Sequence, residues 1–214
     1  ALQRDLQLEH LPRRIEGIDI SNFQGSDSVG SLVCFIDGQA KRSQYRYFKI
    51  RDLDQPDDYA SIHKVVHRRF RGLQERGEAF PDLLLIDGGK GQLASAVEAL
   101  RELGIENQPV LGIAKRFEEV FMPGQSKPRL LPKTSASLRL LQMLRDEAHR
   151  FALKNHRQQR SKRTLNSALD DIPGIGPKKR NALLVAFGSV KRIAATPIAE
   201  ITAIPGFSHK QAED

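Results

Sequence analysis

The chain has 214 residues and a formal net charge of +8, with 34 lysines and arginines against 26 aspartates and glutamates. Hydrophobic residues make up 39% and are spread along the sequence, which excludes global disorder and predicts one medium-sized and one small domain. The apolar runs are too short to cross a bilayer, so no membrane partner is expected. The basic surplus makes nucleic acid the leading class of partner.

The only cysteine, Cys34, lies in the apolar run LVCFI. Its apolar neighbours predict a buried structural thiol. A single cysteine excludes an internal disulfide and a cysteine-rich zinc site, and it is consistent with the reducing cytoplasm. The chain opens on the charged segment ALQRDLQLEH, without a secretory signal or an initiator Met. We therefore expect a fragment of a longer cytoplasmic protein.

Residues 1–155 alternate between strand and helix patterns, which predicts an α/β domain with a mixed sheet flanked by helices. Three strands, Arg14–Ser21, Ser31–Asp37 and Gln44–Ile50, are expected to form an antiparallel meander. The elements that follow are a helix with Asp57 and Asp58 in its first turn, the strand DLLLID, a helix over Gly91–Leu103, the strand Pro109–Ala114, a hairpin over Glu118–Leu131 and a helix from about Ser135.

The stretch KNHRQQRSKR holds five lysines and arginines and no acidic or apolar residue. It predicts a solvated basic linker or a helix extension, which we place at 156–166. The tail, 167–214, has an all-helical pattern and a weak internal repeat around two Ile-Pro-Gly segments. These features predict a small all-α domain of two helical hairpins.

The segment IPGIGPKK is the most specific local motif. Gly174 and Gly176 permit a tight turn between two helices, and the backbone N–H groups at the next helix start can then approach a phosphate. Lys178, Lys179 and Arg180 add positive charge beside that helix start. The motif predicts DNA binding through phosphates with little sequence preference, against the alternative of a plain inter-helix turn.

The second copy of the motif has one glycine, Gly206, followed by Lys210. We include both as candidate DNA-binding residues. The chain stops soon afterwards, so we expect this second hairpin to be truncated, with its second helix lost.

Two aspartates and one histidine are candidates for a metal site. Asp19 alternates with the apolar Ile18 and Ile20 in a strand, and Asp87 ends the strand LLLID beside two glycines. His149 borders the apolar stripe of the last helix of the domain. Each residue alone also fits an ordinary structural role, but together they predict a site for Mg²⁺ or Mn²⁺. Two cations, Lys90 and Arg145, are candidates to hold a phosphate beside it.

Several long segments occur in one order along nearly the whole chain: IEGIDISNFQG, DDYASI, LLLIDGGKGQL, LGIAKR, LPKTSASLRLLQMLRDEAHRFA and DIPGIGPKKRNALL. The chain resembles the C-terminal half of the UvrC family, the nuclease subunit of the bacterial UvrABC excision-repair system. The resemblance implies an RNase H-like endonuclease domain, a tandem helix-hairpin-helix domain, and the incision 5′ to a lesion in damaged duplex or bubble DNA with UvrA and UvrB as partners. It also implies a catalytic triad at Asp19, Asp87 and His149, with a further functional acid at Asp58.

The sequence also differs from the family pattern, because it lacks three segments of the family. The family's N-terminal GIY-YIG nuclease, which makes the 3′ cut, its cysteine-rich region and its UvrB-binding segment are absent from this sequence. We therefore expect 5′ chemistry without recruitment. Two hypotheses compete with the metal-dependent endonuclease: a non-catalytic DNA-binding scaffold, and an RNase H-like ribonuclease or junction resolvase.

Overall fold

The computed structural model describes residues 1–22, 28–50, 57–114, 118–170 and 172–213. They form two compact units, Ala1–Lys154 and Asn155–Asp214. Within these described ranges, no helix is both long enough and apolar enough to span a membrane.

The first unit is built on one mixed sheet with helices on both faces. Its strands are β1 (Arg14–Asn22), β2 (Ser28–Ile36), β3 (Gln39–Ala40), β4 (Arg46–Ile50), β5 (Leu83–Asp87), β6 (Val110–Ala114) and β7 (Glu119–Phe121). Its helices are α1 (Leu2–Leu6), α2 (Asp58–Glu75), α3 (Lys90–Glu102) and α4 (Ala136–Asp170), the last of which continues beyond the unit.

The sheet runs in the order β3-β2-β1-β5-β6-β7, with β4 also paired to β2. The antiparallel pairs β1–β2 and β2–β4 confirm the predicted meander. β5 pairs in parallel with both β1 and β6, and β7 returns antiparallel beside β6. The sequence predicts a hairpin over 118–131. Among the described residues, this segment contains only one isolated antiparallel bridge, between Val120 and Arg129.

Each face of the sheet carries its own apolar core, because successive side chains of a strand point to opposite faces. On one face, α4 packs against a cluster that includes Ile15, Leu83 and Leu85. On the other, α2 and α3 cover a cluster that includes Ile18 and Ile86. Strand β5 contributes to both clusters, which explains why LLLI is an uninterrupted apolar run.

Local capping sets where α2 begins. The Asp57 side chain accepts hydrogen bonds from the backbone N–H groups of Tyr59 and Ala60, at 2.8 and 3.1 Å. These contacts satisfy two of the amides that a helix start leaves unpaired. Cys34 is fully buried in β2, as the sequence predicts, and burial together with the Glu16 charge raises the pKa of its thiol.

The second unit holds α5 (Pro177–Phe187), α6 (Val190–Ala194), α7 (Ile198–Thr202) and α8 (His209–Glu213) around Ile175, Leu183, Ile193 and Ile201. The predicted loss of the second hairpin's second helix is wrong, because α8 is present as a five-residue helix. Residues 156–166 lie within α4, so the basic stretch is a helix extension. Their side chains lie outside what the structure describes.

Candidate metal centre

The register between β1 and β5 brings the two candidate aspartates together. Ile18 pairs with Ile86 in parallel, so Asp19 and Asp87 are the next residues along two adjacent strands. Both side chains lie on the same face of the sheet as Leu83 and Leu85, and α4 covers this face. The Asp19 side chain is buried, whereas Asp87 is half-buried at the carboxyl end of its strand.

His149 reaches this pair from α4. Its Nδ1 lies 3.8 Å from Oδ1 of Asp19, and its side chain is 43% exposed. One ligand atom from each of Asp19, Asp87 and His149 falls within 4.8 Å of the others. Within the described residues, no other group of three or more acidic, histidine or cysteine side chains meets in this way.

A glycine in β1 lets α4 come this close. A Cβ atom at Gly17 would lie 2.9 Å from Cδ2 of Leu144 and 3.3 Å from Cγ2 of Val33. Because Leu144 is itself buried in the core, a larger residue at 17 would push α4 away from the sheet. Gly17 is not among the residues predicted from the sequence, although an isolated glycine inside a branched strand marks a close approach.

Two serines lie beside Asp19. Ser21 Oγ donates a hydrogen bond to Oδ2 of Asp19 at 3.0 Å. Ser31 stands directly opposite Asp19 on β2, so the two side chains share one face of the sheet. Ser31 Oγ is buried and has no hydrogen-bond partner among the described residues. Since an unpaired buried hydroxyl costs roughly 1–3 kcal/mol, this one marks a place where a further polar group fits.

The donor set fits a small divalent cation. Carboxylate oxygens are the ligands of Mg²⁺, and one imidazole among them is compatible with Mn²⁺. Ligands on opposite sides of Mg²⁺ are about 4.2 Å apart. The ligand atoms of Asp19, Asp87 and His149 lie within 4.8 Å of one another, so small side-chain rotations would bring all three into contact with one ion.

Contacts between β4 and α4 fix the helix near His149. Tyr47 stacks on Phe151 with ring centroids 4.0 Å apart, and its hydroxyl donates to the Phe151 carbonyl at 2.9 Å. The Tyr45 hydroxyl donates to Glu147 at 2.9 Å. Arg150 donates two hydrogen bonds to the same carboxylate and lowers the pKa of Glu147. The helix is therefore held on both sides of His149.

Two further candidates lie near the ends of helices. Asp58 is the first residue of α2 and is half-buried, but it is not one of the three residues whose ligand atoms meet. Lys90 is the first residue of α3, exposed, three positions after Asp87.

Arg145, which the sequence predicts to hold a phosphate, lies between two carboxylates in the structure. Its side chain is 8% exposed and pairs with Glu118 at 3.0 Å and with Asp146 at 2.9 Å. Three of the five guanidinium N–H groups bond to these carboxylates, and the contact holds Glu118 against α4.

The first helical hairpin of the second unit presents its two glycines as the motif predicts. Gly174 has a φ of +80°, and Gly176 is the N-cap of α5. Lys178 is exposed and Arg180 is half-buried in the first turn. Lys179, also predicted to contact a phosphate, donates one hydrogen bond from Nζ to Oε1 of Gln211 at 2.7 Å.

The second hairpin is tied to the first through the same lysine. The Lys179 Nζ also lies 5.4 Å from the centre of the Phe207 ring. Gly206 has a φ of +93°, which only glycine adopts without strain, and Lys210 is exposed on α8. Lys179 therefore connects the two hairpins, while Lys178 and Lys210 face solvent.

Residues 3–153 match the family model of the UvrC RNAse H endonuclease domain. The chain belongs to this UvrC domain family. Residues 167–214 match the SAM-like helix-hairpin-helix tandem. The two matches confirm the predicted fold class of this UvrC-family chain: an RNase H-like α/β domain followed by an all-α tandem of helical hairpins.

Curated relatives of the UvrC-family chain carry the name UvrABC system protein C. The protein from Gloeobacter violaceus is 48% identical over 217 residues, which cover 99% of this chain and 35% of the relative. That from Chlorobium chlorochromatii is 50% identical over 206 residues, covering 96% and 33%. The chain thus spans about a third of the length of the curated relatives it matches.

Two solved structures are also similar to parts of the UvrC-family chain. Human ENDOV has a TM-score of 0.36 at 15% identity, covering 49% of this chain and 46% of that one. RuvC of Thermus thermophilus has a TM-score of 0.28 at 16% identity, covering 47% and 61%.

Proposed function

We propose that this chain is a divalent-metal-dependent DNA endonuclease that makes the 5′ incision beside a lesion in bacterial nucleotide excision repair. The observation that carries the proposal is the meeting of Asp19, Asp87 and His149 within 4.8 Å in a domain of the UvrC endonuclease family. Two carboxylates on adjacent strands and an imidazole on the helix that covers them are a donor set for Mg²⁺ or Mn²⁺.

The reaction is hydrolysis of a phosphodiester: water forms a new P–O bond, and the bond from phosphorus to the leaving sugar oxygen breaks. A bound divalent ion supplies charge neutralisation on the phosphate oxygens and favours deprotonation of the attacking water. Asp19 and Asp87 supply the negative charge that holds the ion, and Ser21 fixes the orientation of Asp19 through its 3.0 Å hydrogen bond. His149 is 43% exposed, so its imidazole is accessible to solvent beside the buried Asp19.

The substrate and partners are proposed from the same family membership. The relatives' name places them in the UvrABC system, so we propose damaged duplex DNA as substrate and UvrA and UvrB as partners of the whole protein. The tandem of helical hairpins, with Lys178 and Lys210 exposed, would hold DNA by its phosphates. Asp58 and Lys90 are proposed as supporting residues beside the metal ligands.

The test is incision of a 5′-labelled duplex with one lesion by the complete UvrABC reaction, using the variants Asp19→Asn, Asp87→Asn and His149→Ala. Loss of residues around a metal ligand costs 10–100-fold, so loss of a ligand is expected to lower the rate of 5′ incision by more than about a hundredfold. Titration calorimetry with Mn²⁺ on the same variants measures metal binding independently of cleavage.

Glu106→Gln and His10→Ala are the matched controls, since both residues are exposed and lie outside the cluster. Both are expected to cut at the unaltered rate. Normal 5′ incision by Asp19→Asn or Asp87→Asn would falsify the proposal. Faster cleavage of an RNA–DNA hybrid or a four-way junction than of the lesion duplex would instead favour a ribonuclease or a resolvase.

A further inference from the structure

A groove rich in arginine lies on the first unit, between the outer side of α2 and strand β4. Its volume is about 750 Å³, and six of its lining residues are arginines: Arg14, Arg46, Arg68, Arg69, Arg71 and Arg76. Within the described residues, β4 pairs with β2 alone, so the groove opens along an edge of the sheet. A second groove of about 720 Å³ adjoins it, sharing Arg68 and adding Lys49.

The positive charge of the groove is only partly neutralised within the fold. Glu16 is fully buried beneath it and bonds both Arg14 and Arg69 at 2.6 Å. On the surface, Glu75 and Glu78 each pair with one arginine, at 2.8 and 2.5 Å. Three carboxylates against six guanidinium groups leave a surplus of three positive charges.

Two arginines carry most of this surplus. Arg46 is exposed and donates only to backbone carbonyls, those of Ser43 and Tyr45. Arg68 is also exposed, donates to the Lys49 carbonyl, and lies 4.9 Å above the Phe48 ring. No described carboxylate forms an ion pair with either of them. Their guanidinium groups are held in place by neutral contacts while their charge stays available.

The groove and the candidate metal centre meet only at the β4 edge of the sheet, because the arginines lie on the face that α2 covers and the centre lies on the face that α4 covers. Tyr47 lines the groove, pairs with Ser31 across β2, and Ser31 pairs with Asp19 across β1. Neighbouring strands are about 4.8 Å apart, so Tyr47 stands roughly 10 Å from Asp19 along one row of the sheet. Arg46 and Phe48 alternate with Tyr47 and point to the opposite face, so a strand held at the metal centre would reach the groove by passing around the edge of β4.

We propose that this groove binds the sugar-phosphate backbone of nucleic acid beyond the metal centre, through Arg46 and Arg68. Guanidinium forks match pairs of phosphate oxygens, and the groove lining contains six arginines and no lysine. The inference rests on the proposed function for the class of substrate, but the binding itself requires neither metal nor cleavage.

The experiment measures binding of the full chain to an unmodified 30-base-pair duplex by fluorescence anisotropy over a series of salt concentrations, in EDTA. The variant is Arg46→Gln with Arg68→Gln, which keeps the stems of both side chains. Each phosphate contact contributes about 0.9 to the slope of log affinity against log salt. Loss of both is expected to flatten the slope by about 1.8 and to lower affinity at low salt by about tenfold or more.

The matched control is Arg101→Gln with Arg139→Gln, which removes the same charge from exposed positions on α3 and α4. Its slope is expected to equal that of the unaltered chain, and melting curves check that each variant is folded. An unchanged slope in the groove variant, or an equal change in the control, overturns the proposal. Because EDTA removes the metal, this result is independent of whether Asp19 and Asp87 support incision.

Discussion

A substitution at Ser31 tests the proposed metal site at Asp19, Asp87 and His149 with little disturbance to the fold. It is fully buried, stands opposite Asp19 on β2, and leaves its hydroxyl without a partner in the described part of the chain. A buried hydroxyl of this kind is unfavourable unless something pairs with it in the working protein. A water held near a bound ion is a partner that fits.

We predict that Ser31→Ala weakens Mn²⁺ binding by about tenfold, the lower range for groups that support metal ligands. Titration calorimetry measures this directly. The thermal stability of the metal-free chain is expected to stay the same or to rise, because the substitution removes an unpaired buried hydroxyl.

Ser61 offers the control for this prediction. It too is fully buried with an unpartnered hydroxyl among the described residues, but it lies on α2 at the opposite face of the sheet. Ser61→Ala should affect stability in a similar way and leave Mn²⁺ binding unchanged. Equal losses of affinity in both variants would show that Ser31 acts through general packing only.

At the scale of elements, α4 is the helix on which the candidate centre depends. The contacts of Tyr45 and Arg150 with Glu147 hold it against β4, and the Glu147 side chain is only 14% exposed. The pKa of Glu147 is lowered, first by the Arg150 hydrogen bonds and also by Tyr45, with burial acting in the opposite direction. The carboxylate form is therefore favoured in the folded state.

We predict that this contact makes the first unit sensitive to acid. A glutamate in an unfolded chain has a pKa of about 4.3, and in the folded chain the value is lower. The stabilisation is present above about pH 4.3 and is lost as the pH falls through the folded value. Glu147→Gln should lower the melting temperature at pH 7 and reduce its further fall below pH 4.3.

Melting curves followed by circular dichroism between pH 7 and pH 3 measure this difference, with Glu106→Gln as the control in an exposed loop. The control should follow the unaltered chain at every pH. A parallel fall for Glu147→Gln and the unaltered chain would mean that the contact contributes nothing to acid sensitivity.

The periodicity of apolar residues predicts the strands and the helix that hold the candidate metal centre. The antiparallel meander and the strand LLLID are both present in the structure as predicted. The nearness of Asp19 and Asp87 depends on the register between β1 and β5, which periodicity does not give, because Asp87 ends its strand while Asp19 lies within β1 between Ile18 and Ile20. Periodicity alone does not place His149, since a residue at the border of an apolar stripe serves many purposes. Its inclusion depends on the family resemblance.

Other features depend on contacts between residues distant in sequence. Arg145 pairs with Glu118, 27 positions away, and Lys179 pairs with Gln211, 32 positions away. No local pattern predicts such partners, so the sequence suggests a free cation at both positions. The helical state of 156–166 is easier to foresee, because Arg, Lys and Gln are good helix formers even where no apolar stripe marks the helix.

At the scale of the whole molecule, the chain has two separate basic surfaces that we propose to contact nucleic acid. The second unit has exposed lysines on its hairpins, and the first has the arginine groove. Since each unit has its own apolar core, variants in one can be made without changing the packing of the other.

We predict that Lys178→Ala and Lys179→Ala behave differently although the residues are neighbours. Lys178→Ala should flatten the salt dependence of duplex binding by about 0.9 without a change in melting temperature. Lys179→Ala should destabilise the second unit by about 1–3 kcal/mol, because it leaves Gln211 without its charged donor. Anisotropy and thermal melting of both variants provide the comparison, and identical behaviour would contradict it.

The parallel pairing of Ile18 with Ile86 has a consequence for how the site tolerates changes in chain length. A strand turns every side chain over when it shifts by one residue. Replacing Leu83 or Leu85 by another apolar residue keeps Asp87 facing Asp19, whereas inserting one residue within β5 would turn the carboxylate towards α3. The candidate metal centre therefore requires the correct number of residues in β5 as well as the correct ligand residues.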